Sequence, residues 1–145
     1  MLKYIKGDLL EADQSLLVHQ CNAQGVMGSG VAKSIKDEYP GAFKAYLNQI
    51  NTIDKSELLG SVSQYNEDGK FILNLISQDK YLPRGIRHTN YEALREGFET
   101  IKEVFPKRDL AMPKIGCGLG GGDWKIVSAI IESVFDDRDV YIYEL

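Results

Sequence analysis

Two glycine-rich segments carry the residue types best suited to binding an anion. The first, His19–Lys33, reads HQCNAQGVMGSGVAK and follows the apolar run Leu16–Val18. From Val31 onward apolar residues recur at helical spacing, so the pattern predicts a buried strand, a glycine turn and then a helix. Glycine lets the backbone approach a ligand closely, and the first free N–H groups of a helix attract anions, phosphates above all. One such loop alone is equally consistent with a plain tight turn.

A second segment repeats this arrangement and favours the ligand-binding interpretation. Asp109–Ile115 predicts a strand, Gly116–Gly122 contains five glycines in seven residues, and Asp123 stands at the N-cap of an amphipathic helix. So many glycines carry an entropic cost that packing alone does not favour. Two strand–loop–helix units in one small domain predict two backbone cradles facing one ligand, and a pyrophosphate flanked by sugars would suit them.

Length and composition narrow the class of protein. A chain of 145 residues with 43% apolar and 26% charged residues is typical of one soluble globular domain. The net charge of −4 argues against a broad nucleic-acid surface or an acidic-membrane surface. We expect no signal peptide and no membrane span, since no apolar stretch approaches ~20 residues. Cys21 and Cys117 are expected to be free thiols in a reducing cytoplasm.

Several standard chemistries are excluded by missing motifs. The sequence has no GxxxxGK[ST], so a nucleotide-triphosphate P-loop is absent. The GxGxxG match at Gly116–Gly121 is followed by too little chain to complete a doubly wound dinucleotide domain. No metal or cofactor is expected, because the two histidines and two cysteines lack metal-ligand spacing. Neither cysteine has an arginine six residues on, so a phosphocysteine phosphatase loop is also absent.

The remaining pattern predicts alternating strands and helices with one antiparallel pair, and therefore a mixed α/β sheet covered on both faces. A helix after Pro40 is expected to turn Phe43, Leu47 and Ile50 inward, and a capping box is expected at Thr89 and Glu92. Outside the two loops, a short first strand is predicted to begin at Tyr4–Ile5 and to end near Gly7-Asp8-Leu9. The other predicted strands are Ser61–Tyr65, Phe71–Ile76 and Val140–Leu145, with a hairpin turn at Asn66–Gly69.

Four motifs together resemble the macrodomain family. They are Gly7-Asp8-Leu9, the HQCNAQGVMGSGVAK loop, the PKIGCGLGGGDW loop and the terminal Tyr-Glu-Leu, in the family's order and spacing. The resemblance covers nearly the whole chain and is strongest to the branch of ADP-ribose 1''-phosphate phosphatases and terminal ADP-ribose glycohydrolases. It implies one three-layer α/β/α domain over residues 1–145, with a mixed, mostly parallel sheet and a cleft for ADP-ribose at one sheet edge.

The resemblance also implies how the ligand would lie. Asp8 and Leu9 would recognise the adenine, with Tyr143 and Leu145 packed against it, although Asp8 also suits a turn and the other two suit an ordinary core. Asn22 and the backbone of the first loop would hold the distal ribose, and the second loop would wrap the diphosphate. The ligand-binding residues implied are Asp8, Leu9, Asn22, Gly28, Gly30, Val31, Ala32, Pro113, Ile115, Gly116, Cys117, Gly118, Leu119, Gly120, Tyr143 and Leu145.

The candidate catalytic residues are His19, Asn22 and Asp123. Glycohydrolase members of the family use a lysine and an aspartate at the positions of Gln78 and Gly120 in this sequence. Nearby charged groups, Lys80 and Asp123, could substitute for them, but Asp123 suits an N-cap better. His19 could act as a general acid or base, or could make a structural hydrogen bond at the end of its strand.

The expected function is hydrolysis of a group from the distal ribose of ADP-ribose, in the first place the 1''-phosphate. Two alternatives stay open. One is removal of an acyl group from the same ribose, as in an ADP-ribosylated carboxylate or O-acetyl-ADP-ribose, and the other is non-catalytic recognition of ADP-ribose. The expected partners are ADP-ribose or its 1''-phosphate and ADP-ribosylated macromolecules.

Overall fold

A computed structural model describes residues 1–145 as one six-stranded sheet with five α-helices. The strands are β1 (Leu2–Lys6), β2 (Leu16–Asn22), β3 (Val62–Glu67), β4 (Lys70–Gln78), β5 (Leu110–Met112) and β6 (Val140–Glu144). The helices are α1 (Gly30–Glu38), α2 (Pro40–Thr52), α3 (Lys55–Leu58), α4 (Tyr91–Val104) and α5 (Trp124–Val134), with a short 3-10 turn at Leu9–Glu11. None of the helices combines the length and the apolar composition that a membrane-spanning helix requires.

The sheet confirms the predicted α/β architecture. Its order is β1-β6-β5-β2-β4-β3, and every neighbouring pair is parallel except β3 with β4. Alternate residues of β2 serve opposite faces, as the two-residue period of a strand requires. Leu16 packs in the apolar cluster that contains Phe98 of α4 and Ile131 of α5, whereas Leu17 packs in the cluster that contains Ile35 of α1. Helices therefore cover both faces of the sheet.

This topology opens a crevice at the carboxyl edge of the sheet. Strands β2 and β5 are parallel neighbours, yet β2 leads to α1 on one face and β5 leads to α5 on the other. The two connections diverge at that point, which is where open α/β sheets bind ligands. Both connections are the glycine-rich loops identified in the sequence.

Local boundaries differ from the predicted ones for physical reasons. The β3–β4 turn is only Asp68–Gly69, with φ values of 51° and 80°, because both residues adopt the left-handed conformation of a two-residue hairpin turn. The predicted strand at Asp109–Ile115 is too long, since β5 ends before Pro113, which has no N–H to donate to a ladder. Helix α2 buries Ala42, Tyr46 and Gln49 and leaves the residues predicted inward, Phe43, Leu47 and Ile50, half-buried.

The predicted capping box at Thr89 and Glu92 is wrong. Asn90 caps α4, because its side chain accepts a hydrogen bond from the N–H of Ala93 at 3.0 Å. Thr89 is buried, and its hydroxyl donates instead to the carbonyl of Gly116 at 2.7 Å. Its hydroxyl therefore serves the second glycine loop rather than the helix.

Candidate functional site

A cavity of about 460 Å³ lies between the two glycine loops at the carboxyl edge of the sheet. The chain segment that follows β4 supplies a third wall through Tyr81, Leu82 and Arg84. The predicted site residues that line the cavity are His19, Asn22, Gly28, Gly30, Val31, Ala32, Pro113, Ile115, Gly116, Gly118, Leu119 and Gly120. The fold thus brings the two sequence-distant loops to one concave site.

The remaining predicted site residues lie outside the cavity lining. Asp8 caps the 3-10 turn by accepting from the N–H of Leu10 at 3.0 Å, and Asp123 caps α5 by accepting from the N–H of Lys125 at 2.9 Å. Leu9 is buried in an apolar cluster against which Val31 and Tyr143 pack, and Val31 also lines the cavity. Leu145 is 94% exposed.

Cys117 also lies outside the cavity lining, and both cysteines are free thiols as predicted. The Cys117 thiol donates to the carbonyl of Ile115 at 3.4 Å, and burial raises its pKa to about 11. Complete burial raises the pKa of Cys21 well above its usual range. Neither cysteine is a thiolate nucleophile at neutral pH, since nucleophilic attack requires the deprotonated form.

The cavity is rich in backbone N–H groups that have no acceptor within the chain. In the second loop these are the N–H groups of Gly116, Gly118, Leu119 and Gly120. In the first loop the N-cap residue Ser29 makes no side-chain hydrogen bond, so the first N–H groups of α1 are also unpaired. Unpaired donors at a helix start and in a glycine loop attract anions through hydrogen bonds and the helix dipole.

Glycine has two different purposes in the second loop. A Cβ at Gly118 would meet nothing within 4 Å, so the backbone there is open to an incoming ligand. A Cβ at Gly120 would lie 2.4 Å from Thr89 Oγ1 and 2.7 Å from Gln20 Nε2, and a Cβ at Gly122 would lie 2.7 Å from the carbonyl oxygen of Gly116. A side chain at either of these two positions would therefore force the loop or its neighbours to shift, which glycine avoids.

A polar side-chain network holds the second loop in place from below. Gln20 donates to the side-chain oxygen of Gln78 at 2.6 Å and to Thr89 Oγ1 at 3.1 Å. The Ser77 hydroxyl donates to Gln20 Oε1 at 2.6 Å, and the Thr89 hydroxyl donates to the carbonyl of Gly116 in the second loop. Because these groups are mostly buried and mutually paired, they fix the loop geometry rather than remaining free for chemistry.

The first loop is anchored by a buried tyrosine that the sequence analysis missed. The Tyr46 hydroxyl accepts from the N–H groups of Gly25 and Val26 at 3.0 and 3.1 Å and donates to the carbonyl of Asn22 at 2.6 Å. Asn22 adds its own side-chain hydrogen bonds, donating to the carbonyl of Val26 at 2.8 Å and accepting from the N–H of Gln24 at 2.9 Å. The amide of Asn22 therefore keeps a fixed orientation at the cavity wall.

Comparison with known proteins places this chain and its fold in one family. The sequence profile described as Macro domain matches residues 18–131. The chain belongs to the macrodomain family. The chain is 37% identical to the ADP-ribose glycohydrolase OARD1 of Bos taurus, over 97% of this chain and 88% of that protein. It is 26% identical to the ADP-ribose 1''-phosphate phosphatase of Scheffersomyces stipitis, over 98% of this chain and 99% of that protein.

A solved structure of the macrodomain of Mycobacterium tuberculosis DarG superposes with a TM-score of 0.81 and 28% identity, covering 100% of this chain and 98% of that chain. The sheet order and the helices on both faces described above are therefore those of a macrodomain. This agreement supports the resemblance drawn from the four sequence motifs.

The family resemblance puts the lysine of its glycohydrolase members at Gln78 and their aspartate at Gly120. Gln78 belongs to the network beneath the second loop, and Gly120 packs against that network. Gln78 Oε1 accepts from Gln20, and Gln78 Nε2 donates to the carbonyl of Lys80 at 2.7 Å. Any side chain at Gly120 would collide with Thr89 and Gln20. An aspartate at position 120 would thus require Thr89, Gln20 or the backbone at Gly116 to shift in this macrodomain.

His19 is 1% exposed and is bonded inside the protein. Asn74 donates through its amide nitrogen to the carbonyl of Ala42 at 3.0 Å, so its oxygen faces His19 and accepts from Nε2 at 2.6 Å. Burial lowers the pKa of His19 to about 4, although the hydrogen bond to Asn74 opposes this shift. The imidazole is therefore neutral at pH 7, and the proton on Nε2 is committed to Asn74.

The lowered pKa of His19 predicts a loss of stability in mild acid. The unfolded chain binds a proton on this side chain below pH 6.5, whereas the folded protein does so only near pH 4. The free energy of unfolding should therefore fall as the pH drops from 6.5 toward 4, by about 2 kcal/mol at pH 5. Melting curves of the wild type and of His19→Gln between pH 7.5 and 5 measure this, and only the wild type should lose that increment. Parallel pH dependences would contradict the burial of a neutral imidazole.

The lining of the cavity contains one positively charged side chain and no negatively charged one. Among all its lining residues Arg84 is the only one with a permanent charge, and none is a carboxylate or a lysine. No group of three or more histidine, cysteine or acidic side chains is placed to hold a metal ion. Sequence reasoning missed Arg84 because it lies in a connection without periodicity or motif, where only the folded chain shows what it faces.

Proposed function

We propose that this macrodomain binds ADP-ribose in the cavity and hydrolyses a phosphate from the 1'' position of the distal ribose. The observation that carries the proposal is the donor set. Two loops present unpaired backbone N–H groups, one guanidinium is the only charged side chain, and no carboxylate would repel a phosphorylated ligand. Such a site suits a ligand that bears several phosphates.

In this proposal the second loop binds the diphosphate. The N–H groups of Gly116–Gly120 would donate to its oxygens, and the distal ribose would lie beside Asn22 and the first turn of α1. The adenine would then extend toward Asp8, Leu9, Tyr143 and Leu145. The apolar cluster that contains Leu9, with Val31 and Tyr143 packed against it, supports this direction.

The proposed reaction uses positioning and electrostatics. A water oxygen attacks phosphorus and loses a proton, the bond between phosphorus and the ribose oxygen breaks, and that ribose oxygen takes up a proton. The products are ADP-ribose and inorganic phosphate. Fixed backbone donors would stabilise the charge on the phosphoryl oxygens, which is the main catalytic contribution available without a nucleophilic side chain.

Asn22 is the side chain we propose to orient the water. One of the two hydrogens on its Nδ2 is used by the carbonyl of Val26, which leaves the other for the cavity. The catalytic roles expected for His19 and Asp123 remain predictions. The hydrogen bond from His19 to Asn74 and the capping bond of Asp123 favour positioning and structural parts for these two residues.

Removal of an acyl group from the same ribose, as in an ADP-ribosylated carboxylate or O-acetyl-ADP-ribose, is the second candidate function. The 37% identity to a protein named ADP-ribose glycohydrolase favours it. The absence of a lysine and a carboxylate from the cavity favours the phosphatase, because a covalent lysine–aspartate route has no residues to perform it here. A water-mediated deacylation would need the same donors as the phosphatase.

A turnover assay on three substrates tests the proposal. ADP-ribose 1''-phosphate, O-acetyl-ADP-ribose and an ADP-ribosylated protein are incubated separately with the wild-type protein, and release of ADP-ribose is followed by chromatography. We expect the 1''-phosphate to give the highest kcat/KM. A higher value for either of the other two would replace the phosphatase by the second candidate. Binding of ADP-ribose without turnover of any of them would make the chain a reader.

A further inference from the structure

Residues 79–88 form a loop beside the cavity, and the two ends of this loop lie next to each other. It begins after β4, and an antiparallel bridge between Gln78 and Thr89 brings its two ends together. Tyr81, Leu82 and Arg84 lie on its cavity side. The segment is therefore a wall of the site whose ends are tied to the sheet.

Contacts along the segment fix its position against the second glycine loop. The N–H groups of His88 and Thr89 both donate to the carbonyl of Gly120, at 2.8 and 3.1 Å. His88 Nε2 also donates to the carbonyl of Pro83 at 2.7 Å, directly beside Arg84. A Cβ at Gly121 would lie 2.9 Å from the carbonyl oxygen of Ile86, so the two backbones are in contact. These contacts fix the backbone of the segment, and therefore the position of Arg84 at the cavity wall.

Arg84 differs from every other arginine of the chain in having no partner. It makes no hydrogen bond, ion pair or cation–π contact, and it is the only permanently charged residue that lines the cavity. The others each contact a side chain or carbonyl of the protein: Arg87, Arg95, Arg108 and Arg138. A guanidinium left unpaired beside a site free of carboxylates is available to a ligand anion.

The sheet order indicates which part of the ligand Arg84 would meet. Strand β4, which precedes the segment, lies on one side of β2, whereas β5 and β6 lie on the other side. In the proposed binding mode the adenine extends toward β6 and the distal ribose lies at the end of β2. Arg84 therefore stands on the distal-ribose side, away from the adenine.

We infer that Arg84 is a specificity-determining residue that recognises the phosphate on the distal ribose and so distinguishes ADP-ribose 1''-phosphate from ADP-ribose. This inference rests on the proposed function. The guanidinium presents paired N–H donors that match two oxygens of a phosphate, and both ligands share the diphosphate that the backbone donors would bind. Arg84 would thus add affinity only when the distal phosphate is present.

The test compares both ligands in Arg84→Gln, Arg84→Lys and Arg87→Gln. The last variant is the matched control, because it removes the same charge from the same segment and its guanidinium packs on Tyr91, 4.5 Å from the ring centre, outside the cavity lining. Calorimetry gives the Kd for ADP-ribose, and phosphate release gives kcat/KM for the 1''-phosphate. If the wild type does not hydrolyse that ligand, its Kd is measured instead.

Arg84→Gln should lower kcat/KM for the 1''-phosphate, or weaken its binding, about ten- to hundredfold, the range for losing hydrogen bonds to a charged group. The Kd of Arg84→Gln for ADP-ribose should change less than about twofold. Arg84→Lys should give values between those of the wild type and of Arg84→Gln, and Arg87→Gln should resemble the wild type. Equal losses for both ligands would assign Arg84 to the diphosphate and overturn the inference, as would no loss for either. A wild type that binds neither ligand would overturn the proposed function and the inference together.

Discussion

Replacement of Gly118 by glutamate is expected to weaken ADP-ribose binding by up to about a thousandfold while leaving the fold intact. A Cβ at this position meets nothing within 4 Å and Gly118 has no positive φ, so the backbone accepts a side chain without strain. The new carboxylate would stand where the diphosphate oxygens are expected. Two like charges about 4 Å apart repel by about 4 kcal/mol at an effective dielectric constant of 20, which corresponds to about a thousandfold in Kd.

Gly118→Gln is the control for this prediction, since it adds nearly the same volume without the charge. Titration calorimetry with ADP-ribose on the wild type and both variants, with melting temperatures in parallel, measures the effect. The glutamine variant should bind better than the glutamate variant. A folded Gly118→Glu protein that binds ADP-ribose like the wild type would place the ligand away from the second loop.

The second large effect is expected on turnover when Asn22 is replaced by alanine. If its amide orients the attacking water, kcat for ADP-ribose 1''-phosphate should fall about a hundredfold, the scale of losing alignment at the reacting centre. The Kd for ADP-ribose should rise by about tenfold at most, because a neutral hydrogen bond contributes only ~0.5–1.5 kcal/mol. Single-turnover kinetics on the purified variant separates these two quantities.

Loosening of the first loop is the competing explanation, and Tyr46→Phe tests it. This variant removes the hydroxyl that holds the N–H groups of Gly25 and Val26 and that lies 2.6 and 2.8 Å from the backbone and side-chain oxygens of Asn22, but it keeps the Asn22 amide and its hydrogen bond to Val26. We expect Tyr46→Phe to weaken binding more than it lowers kcat. If it lowers kcat as much as Asn22→Ala does, the loss reflects loop geometry and Asn22 has no part of its own in the chemical step.

The two glycine loops could be predicted from the sequence because their signals are local. An apolar run, a glycine cluster and the start of a helical period follow one another within Leu16–Ile35 and again within Asp109–Val134. Parallel pairing of β2 with β5 then brings them to one edge, and this pairing follows from alternation of strands and helices. The fold and the two loop walls of the cavity could therefore be predicted from the sequence, whereas the third wall, which follows β4, could not.

The residues that support these loops could not be predicted in the same way. Thr89 has the residue type and spacing of a capping box, yet its hydroxyl is used by Gly116 and Asn90 provides the cap. Tyr46 has the pattern of an ordinary core residue, and only tertiary packing directs its hydroxyl to the first loop. Such contacts join residues far apart in the chain, so no local pattern encodes them.

The central claim, that the cavity between the two loops is an ADP-ribose site, is tested most directly by a melting curve with added ADP-ribose. A ligand at 100 times its Kd that binds only the folded state adds about 2.7 kcal/mol to the free energy of unfolding, which gives a readily measured rise in Tm. We predict such a rise with ADP-ribose and a far smaller one with adenosine, which lacks the diphosphate. An unchanged Tm at saturating ADP-ribose would contradict the assignment of this cavity.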